Sequence, residues 1–562
     1  METSERAGKY PGAAAVSTES RAGLSRSAGV VAGATLASRV LGLLRDSAIA
    51  FALPVAASDA FFVAFTIPNL LRRLVGEGAL TVAFVPVFSQ TLQRSHDDAR
   101  RFFRAIWTLA LVLTSAICVL GIVYAGPLVI AFAPGYQSDP DKLALTTTLL
   151  RLCFPYVVSL SLVAVAMGAL NALGHFFRPA IAPVWLNVCQ IAAVFAGVAF
   201  FTTPVLALGV GVIVAGVLQV WLQLRPLRER GFAPQLLFAP GDPAVRRLSW
   251  ILLPSLLGAS AYQLNTITTR AIASFFGDGP VSYLYYATRL LELPLGVFVF
   301  ALSMASLPSL SRLVGKGDRV ELQRSFAETL GLSLALALPC SAGLILLREP
   351  IVALLFGWNP DHFGSEAVRL CALALLYYTL GLVPISLARI YVNLCVAHEN
   401  TRTGAQAAVV SLIVNVLGAL LLVGPLPYGT LWDSVIDVQR ALVVADFGFL
   451  GLAVATTLAA AANAVWVMSA AHHRYGANLP ARAWIGYLRL VAATGVLSLA
   501  VGIGVWLLPA PERVSPLAAL QLFGLIGLGG LAYLGGLWLF RAHEFELVRR
   551  LAGRLLRAPR RC

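Results

Sequence analysis

The 562-residue chain is 58% hydrophobic and only 12% charged, with a formal net charge of +15 and a mean hydropathy of +0.80. That share of charge is about half of a soluble domain's, and apolar runs of roughly 20 residues, each enough to cross a bilayer, recur from end to end; the composition excludes a soluble globular protein, and the lack of alternation excludes an outer-membrane barrel. Most of the basic excess lies in short loops between apolar runs, where it acts as a topology signal and does not mark a nucleic-acid binder.

In chain order, residues 1–26 are polar and small, without a cleavable signal pattern, and read as a disordered cytoplasmic tail. Span 1 (27–52) contains ASRVLGLLRD at 37–46, with Arg39, Arg45 and Asp46 inside an otherwise apolar run. Span 2 (59–90) has Asp59 at its outer end, Arg72, Arg73 and Glu77 near its middle, and Pro68 and Pro86 as expected kinks. Spans 3 to 6 follow at 105–133, 145–174, 180–202 and 204–224. Span 7 (248–276) carries Arg270 near its outer end, and span 8 (281–311) carries Arg289, Glu292 and Pro294. Spans 9 to 14 fall at 325–356, 366–396, 404–424, 443–471, 484–508 and 515–540, and residues 542–562 form a basic tail.

The loops alternate in charge. Arg94, Arg100, Arg101 and Arg104, then Arg178, then Arg225 to Arg247, Lys316 to Arg324, Arg402, and Arg474 with Arg482 fall on one side. The other side holds little more than Lys142, Arg440 and Arg513, among Gly, Pro, Asp and Trp. Fourteen spans with both termini in the cytoplasm require this alternation. The basic tail reads as topology signal and solvated charge, with contact to anionic lipid as the alternative.

The chain also repeats itself. FVPVFSQ at 84–90 matches SLPSLSR at 306–312, GPLVIAFAPGY at 126–136 matches EPIVALLFGWN at 349–359, RLC at 151–153 recurs at 369–371, and Asn171 corresponds to Asn393. Each copy covers six spans, an even number, so the two copies are expected to be parallel lobes with a substrate path between them. The expected organisation is a tail (1–26), an N-lobe (27–235), a C-lobe (236–475), two added helices (476–541) and the basic tail (542–562). The fold class is therefore all-α and polytopic.

Arginine in mid-bilayer costs roughly 2.5–3.5 kcal/mol on insertion scales. Arg39 lies about 18 Å into its span, too deep for easy snorkelling. Some charges can pair: Arg73 with Glu77 at i,i+4, Arg39 with Asp46 at i,i+7, Arg289 with Glu292 at i,i+3. After pairing, the first lobe keeps an excess of arginine, which suits an anionic substrate whose oxygens match guanidinium forks. A carrier of cationic drugs would need spare carboxylates, which are few. Six cysteines lie in apolar segments without metal spacing and the seventh ends the chain. No phosphate-binding GxxxxGK[ST] loop occurs, so direct ATP use is not expected, and no catalytic constellation is visible. His175 and His398, near cytoplasmic helix ends, read as interface residues. The reading is a transporter without metal or cofactor.

The stretches at 37–90 and 285–312 (YYATRLLELPLGVFVFALSMASLPSLSR) closely resemble the signature segments of the MurJ (MviN) family of lipid II flippases, within the superfamily of multidrug and oligosaccharidyl-lipid exporters, and the span count and order fit over nearly the whole chain. The resemblance implies translocation of an undecaprenyl-diphosphate-linked disaccharide-pentapeptide across the bacterial inner membrane for peptidoglycan assembly, with spans 13 and 14 forming a groove for the polyprenyl tail. It implies substrate binding by Ser38, Arg39, Arg45, Arg72 and Arg289, and gating or charge pairing by Asp46, Asp59, Glu77 and Glu292. Arg73 faces about 100° away from Arg72 and is read as structural; Arg270 is a weaker candidate. Lipid II, membrane lipids and, less directly, wall-synthesis proteins are the expected partners. Two departures are visible: Thr288 stands where many relatives have an acidic residue, and spans 7 and 11 offer Asn265 and Asn415 but no internal carboxylate for a sodium site. The driving force thus stays open between membrane potential and an ion gradient. Export of another lipid-linked oligosaccharide, or a non-transporting scaffold for wall-synthesis enzymes, are the rival readings.

Overall fold

A computed structural model describes residues 15–74, 80–430, 432–476, 479–508 and 514–543, without the side chains of 15–28, 30–32, 71–74, 80–82, 253–262 and 297–298. The regular structure in these residues is helical: α1 (Ala15–Ala52), α2 (Val55–Leu74), α3 (Leu80–Arg94), α4 (His96–Val123), α5 (Ala125–Phe132), α6 (Pro140–Cys153), α7 (Tyr156–Ala172), α8 (Phe177–Phe200), α9 (Val205–Glu229), α10 (Pro243–Ala273), α11 (Pro280–Pro294), α12 (Phe300–Lys316), α13 (Arg319–Leu346), α14 (Arg348–Phe356), α15 (Ser365–Leu380), α16 (Leu382–Ala397), α17 (Arg402–Leu422), α18 (Asp433–Leu442), α19 (Leu450–Tyr475), α20 (Ala481–Leu507) and α21 (Pro516–Leu539). A π-helical turn, Leu295–Val299, joins α11 to α12.

Ten helical stretches are long and apolar enough to cross a membrane, and they coincide with predicted spans 3 to 6 and 9 to 14. The remaining predicted spans, 1, 2, 7 and 8, hold the internal charges, and each contains side chains outside the described set. Two expectations change. Helix α1 begins at Ala15, inside the predicted tail; no proline lies between Pro11 and Pro54, so nothing interrupts propagation once a helix is nucleated. Span 12 begins at Leu450 instead of near 443. The preceding residues turn at Gly448, which has φ 55° and whose N–H is held by Asp446. Helix α18 lies in the stretch between predicted spans 11 and 12.

The same set of helix pairings occurs twice. In the first half α1 packs on α8, α2 on α6, α3 and α4 on α7, and α9 on α7 and α8. In the second half α10 packs on α17, α11 on α15, α12 and α13 on α16, and α19 on α16 and α17. Breaks recur as well: α4/α5 matches α13/α14, and α6/α7 matches α15/α16. Helices α20 and α21 pack on each other and on α13, outside the repeat. One large apolar core runs through α2, α6, α7, α11, α15 and α19. It includes Phe61, Tyr286 and Phe363, all buried, and ties the two halves together at the end where α1 finishes and α2 begins.

Candidate functional site

Two charged clusters sit where the halves meet. The first is built on the last third of α1. Arg45 and Asp46 are both buried, at 4% and 0% exposure. Arg45 Nε donates to Asp46 Oδ1 at 2.9 Å. Its Nη1 donates to Asn187 Oδ1 at 3.2 Å and Gln190 Oε1 at 3.0 Å, both on α8, and its Nη2 donates to the Tyr285 hydroxyl on α11 at 2.8 Å. Arg289, one turn further along α11, also donates to that hydroxyl, at 3.1 Å from Nη2. Its Nε lies 3.3 Å from Asp46 Oδ2, a charge contact across the halves. The Asp46 carboxylate therefore sits between two guanidinium groups from different halves. Removing it would leave Arg45 a buried cation without its counter-charge and Arg289 with Glu292 alone.

Arg289 remains one-third exposed and pairs with Glu292 at 3.1 Å, as its spacing predicted. Thr288 bonds carbonyls of its own helix, and the counter-charges of Arg289 come from Asp46 and Glu292. Arg39 does not pair with Asp46. Its Nη1 donates to the Glu292 carbonyl at 2.9 Å. That carbonyl also takes the Leu295 N–H in a tightened turn, where the regular helical ladder gives way to the π-helical turn. The guanidinium lies directly on Gly296, and a Cβ there would overlap it. Ser38 offers its carbonyl to Asn187 Nδ2 at 3.0 Å. Arg72 and Arg73 fall in the last turn of α2, but their side chains, and all of Glu77, lie outside the described residues. The structure thus brings together Ser38, Arg39, Arg45, Asp46, Arg289 and Glu292.

Asp59 belongs to a separate cluster, at the predicted outer end. Its Oδ1 accepts from the Ser282 N–H at 2.8 Å and hydroxyl at 2.6 Å, and its Oδ2 from the Gly279 N–H at 2.7 Å. These donors form the N-terminus of α11, where a carboxylate is stabilised by unpaired amides and the helix dipole. Lys142 Nζ, 7% exposed, lies 3.3 Å from Asp59 Oδ2 and 2.7 Å from Asp278 Oδ1, with the Gly277 carbonyl at 3.2 Å. Nearby, Arg270 Nη1 donates to the Phe62 carbonyl at 2.7 Å, and Asn359 Nδ2 to the Phe51 carbonyl at 2.9 Å. Gly135 N–H donates to Ser274 Oγ at 2.9 Å, and a Cβ on Gly135 would overlap the Ser274 backbone. Gly135→Ala is expected to lower Tm through an overpacking cost of about 1–3 kcal/mol; Ser138→Ala, which removes only a bond within the same turn, serves as the comparison.

The first cluster was partly legible. Asn187 and Gln190, three apart in an apolar span, are the further signal in the sequence. Tyr285 is hidden in YLYY, and Lys142 looks like any outer-loop charge. Among the described residues no three His, Cys, Asp or Glu side chains converge as metal ligands.

His175, in the turn between α7 and α8, receives hydrogen bonds from Arg230. Burial first, then the charges of Arg230 and Arg178, push its pKa below the usual value of 6.5. A depressed histidine pKa means that the unfolded chain binds the proton more readily. The stability contribution is present above about pH 6.5 and is lost as pH falls through the folded-state value. Melting curves at pH 7.5 and pH 5.5 should therefore separate more for the wild type than for His175→Asn.

Residues 54–513 match the family model described as lipid II flippase MurJ. The chain is 34% identical over 542 residues to a probable lipid II flippase MurJ of Rhizobium meliloti, covering 92% of this chain and 94% of that protein. It is 37% identical over 401 residues to one of Bdellovibrio bacteriovorus, covering 71% and 76%. Among solved structures, a lipid II flippase MurJ in an inward closed conformation superposes with a TM-score of 0.70 at 22% identity, over 91% of this chain and 98% of that one. An inward-facing multidrug transporter of the MATE family gives 0.63 at 13% identity, over 78% and 95%. Both solved structures speak for the fold.

Proposed function

The chain belongs to the lipid II flippase MurJ family, and from that premise we propose that it moves lipid II from the cytoplasmic to the outer leaflet of the bacterial inner membrane by alternating access. It makes and breaks no bonds. The reading takes the fourteen helical stretches as spans, both termini as cytoplasmic, 27–235 and 236–475 as parallel lobes, and α20–α21 as the groove for the polyprenyl tail. The duplicated helix pairings support the lobes, and the ten apolar helices support the membrane setting.

The observation that carries the mechanism is the Asp46 carboxylate held between Arg45 of one half and Arg289 of the other. Among the described residues the carboxylates that face Arg45 and Arg289 are Asp46 and Glu292, and Arg39 bonds the Glu292 backbone carbonyl, which leaves a cationic excess at the interface between halves. A substrate diphosphate competes with Asp46 and the Glu292 carbonyl for these guanidinium groups, with Ser38 and Arg72 adding donors. Once they are neutralised by the substrate, the halves are free to rock. Contacts between halves at the outer end run from α2 to α11 and from Gly135 to Ser274; at the inner end α3 meets the start of α10, where Arg247 Nη1 donates to Gln90 Oε1 at 2.8 Å, and the packing of α2 on α11 is not matched by comparable packing of α3 on α12 among the described residues. The state is therefore read as closed outward. Glu77 and Arg73 are assigned to pairing on the inner half of span 2. No cofactor enters the scheme; membrane potential or an ion gradient supplies the drive.

The test follows lipid II exposure on the outer leaflet of cells depleted of their own flippase, carrying the wild type or Arg39→Ala at equal membrane levels. Exposure restored by the wild type alone supports the reading. Equal restoration by both removes Arg39 from the site. No restoration by either moves another lipid-linked oligosaccharide to the front.

A further inference from the structure

The 27 residues between α17 and α19 (423–449) build more than a connection. Helix α18 is fixed at close range. Gln439, 1% exposed, donates to the carbonyls of Leu420 at 3.0 Å and Gly424 at 2.7 Å, and it accepts from the Leu426 N–H at 3.1 Å. Ile436, also 1% exposed, enters the main core. Asp433 accepts the N–H groups of Gly429 and Thr430. Arg440 donates to the Leu426 carbonyl at 2.8 Å and lies 3.9 Å over the Tyr428 ring.

At about 100° per residue the helix resolves into three faces. Ile436 and Gln439 point at the protein. Asp433, Asp437 and Arg440 gather within about 60° on a polar face. Val435, Val438 and Leu442 gather within about 60° on the side opposite to it, and they are 48%, 59% and 43% exposed. Trp432, just before the helix, is exposed, and Tyr428, also exposed, lies along the polar face, where its hydroxyl donates to Asp437 at 2.8 Å. A solvated surface helix would put polar residues there.

The height of the helix decides what covers it. Helices α17 and α19 are long and apolar enough to cross a membrane, and they end at Leu422 and begin at Leu450. Helix α18 is tied by Gln439 to the last turn of α17 and the residue pair after it, so it lies at the level where these helices leave hydrocarbon. With protein on one flank, polar groups on one side and an apolar row opposite, the arrangement is that of a helix lying in the interface. Trp432 at the start of the helix and Tyr428 on its polar side are of the residue types that favour that depth. The polar face carries two aspartates and one arginine, so attraction to anionic headgroups is not its basis.

We propose that α18 is an interfacial anchor: it rests on the outer surface of the membrane with Val435, Val438 and Leu442 in the boundary between headgroups and acyl chains. This role does not depend on which substrate is carried. Phe449, which follows the anchor, contacts Tyr283 in the first turn of α11 at 6.0 Å between ring centroids. The anchor thus sets the membrane depth of the outer end beside the Asp59 cluster.

The full chain in lipid nanodiscs tests the proposal. An environment-sensitive fluorophore is attached at Val438→Cys, or at Ala441→Cys about 100° from the centre of the apolar row. Wild type labelled in parallel supplies the background of native cysteines, which are buried or half-buried among the described residues. The expected result is blue-shifted emission at position 438, quenched at least twofold by phospholipid brominated on its acyl chains, with little quenching at 441. Emission at 438 as red as at 441 would show a helix standing clear of lipid and overturn the proposal. A blue shift without bromolipid quenching would show that protein covers the row, and would overturn it as well.

Discussion

Asp59→Ala is expected to shift the resting protein from closed to open at its outer end. In the closed arrangement the carboxylate satisfies the Gly279 and Ser282 N–H groups, the Ser282 hydroxyl and the ammonium of Lys142, all in a buried setting. Without it, the Gly279 and Ser282 donors are buried and unpaired, and Lys142 keeps only Asp278 and the Gly277 carbonyl. Removing one partner of a buried ion pair costs about 3–5 kcal/mol. When the outer end opens, the same groups meet water, so the cost falls on the closed state and not on the protein as a whole. A bias of about 3 kcal/mol changes the ratio of the two states by roughly two orders of magnitude. Lys142→Met should do less, because Asp59 keeps its three donors at the start of α11; about 1–2 kcal/mol is expected from the lost charge-assisted bond. Spin labels at Asp141→Cys and Asp361→Cys, exposed sites at that end on different halves, report the distance. A long-distance population that grows strongly in Asp59→Ala and modestly in Lys142→Met supports the account. Unchanged distributions in Asp59→Ala would show that the cluster does not hold the end closed.

The same cluster shows how far the sequence could be read. Asp59 stood out as a charge at the end of an apolar run, yet its partners did not. Gly279 and Ser282 contribute backbone groups, which leave no trace in residue type. Lys142 lies 83 positions away, in a loop whose charge had a sufficient explanation as topology. The local pair Arg289–Glu292 was legible because one helix turn decides it. The expected pairing of Arg39 with Asp46 was a sound reading of one helix in isolation. It failed because Asp46 finds Arg45 and Arg289 at closer range once α11 packs on α1. Periodicity and loop charge were enough to place helices in all fourteen predicted stretches. They could not show that span 8 is interrupted by a π-helical turn, since Pro294 marks a bend without stating its geometry. Helix α18 escaped for a different reason. Ten residues with a narrow apolar row read equally well as loop, and only Gln439 and Ile436, reaching inward, fix it as a helix against the core.

Gly296→Ala is expected to reduce transport while leaving stability unchanged or higher. Arg39 reaches the Glu292 carbonyl only because residue 296 has no side chain. A methyl group there occupies the space of the guanidinium and pushes it off its acceptor, with the charge of Arg39 intact. Losing a hydrogen bond to a charged group is worth about 1.5–3 kcal/mol, or roughly 10- to 100-fold in a rate that depends on Arg39 in that position. In a helix, alanine is favoured over glycine by about 1 kcal/mol, and the displaced atoms are the far end of a flexible side chain, so the fold itself has no reason to weaken. Outer-leaflet exposure of lipid II and Tm, measured on the same membranes, separate the two effects. Lower exposure with an equal or raised Tm would show that Arg39 acts from its seat on the π-helical turn, and that span 8 is broken there to make room for it. A fall in both together would reduce Gly296 to a packing position. Unchanged exposure would mean that Arg39 meets the substrate from another position, and that the contact with Glu292 is a feature of the resting state alone.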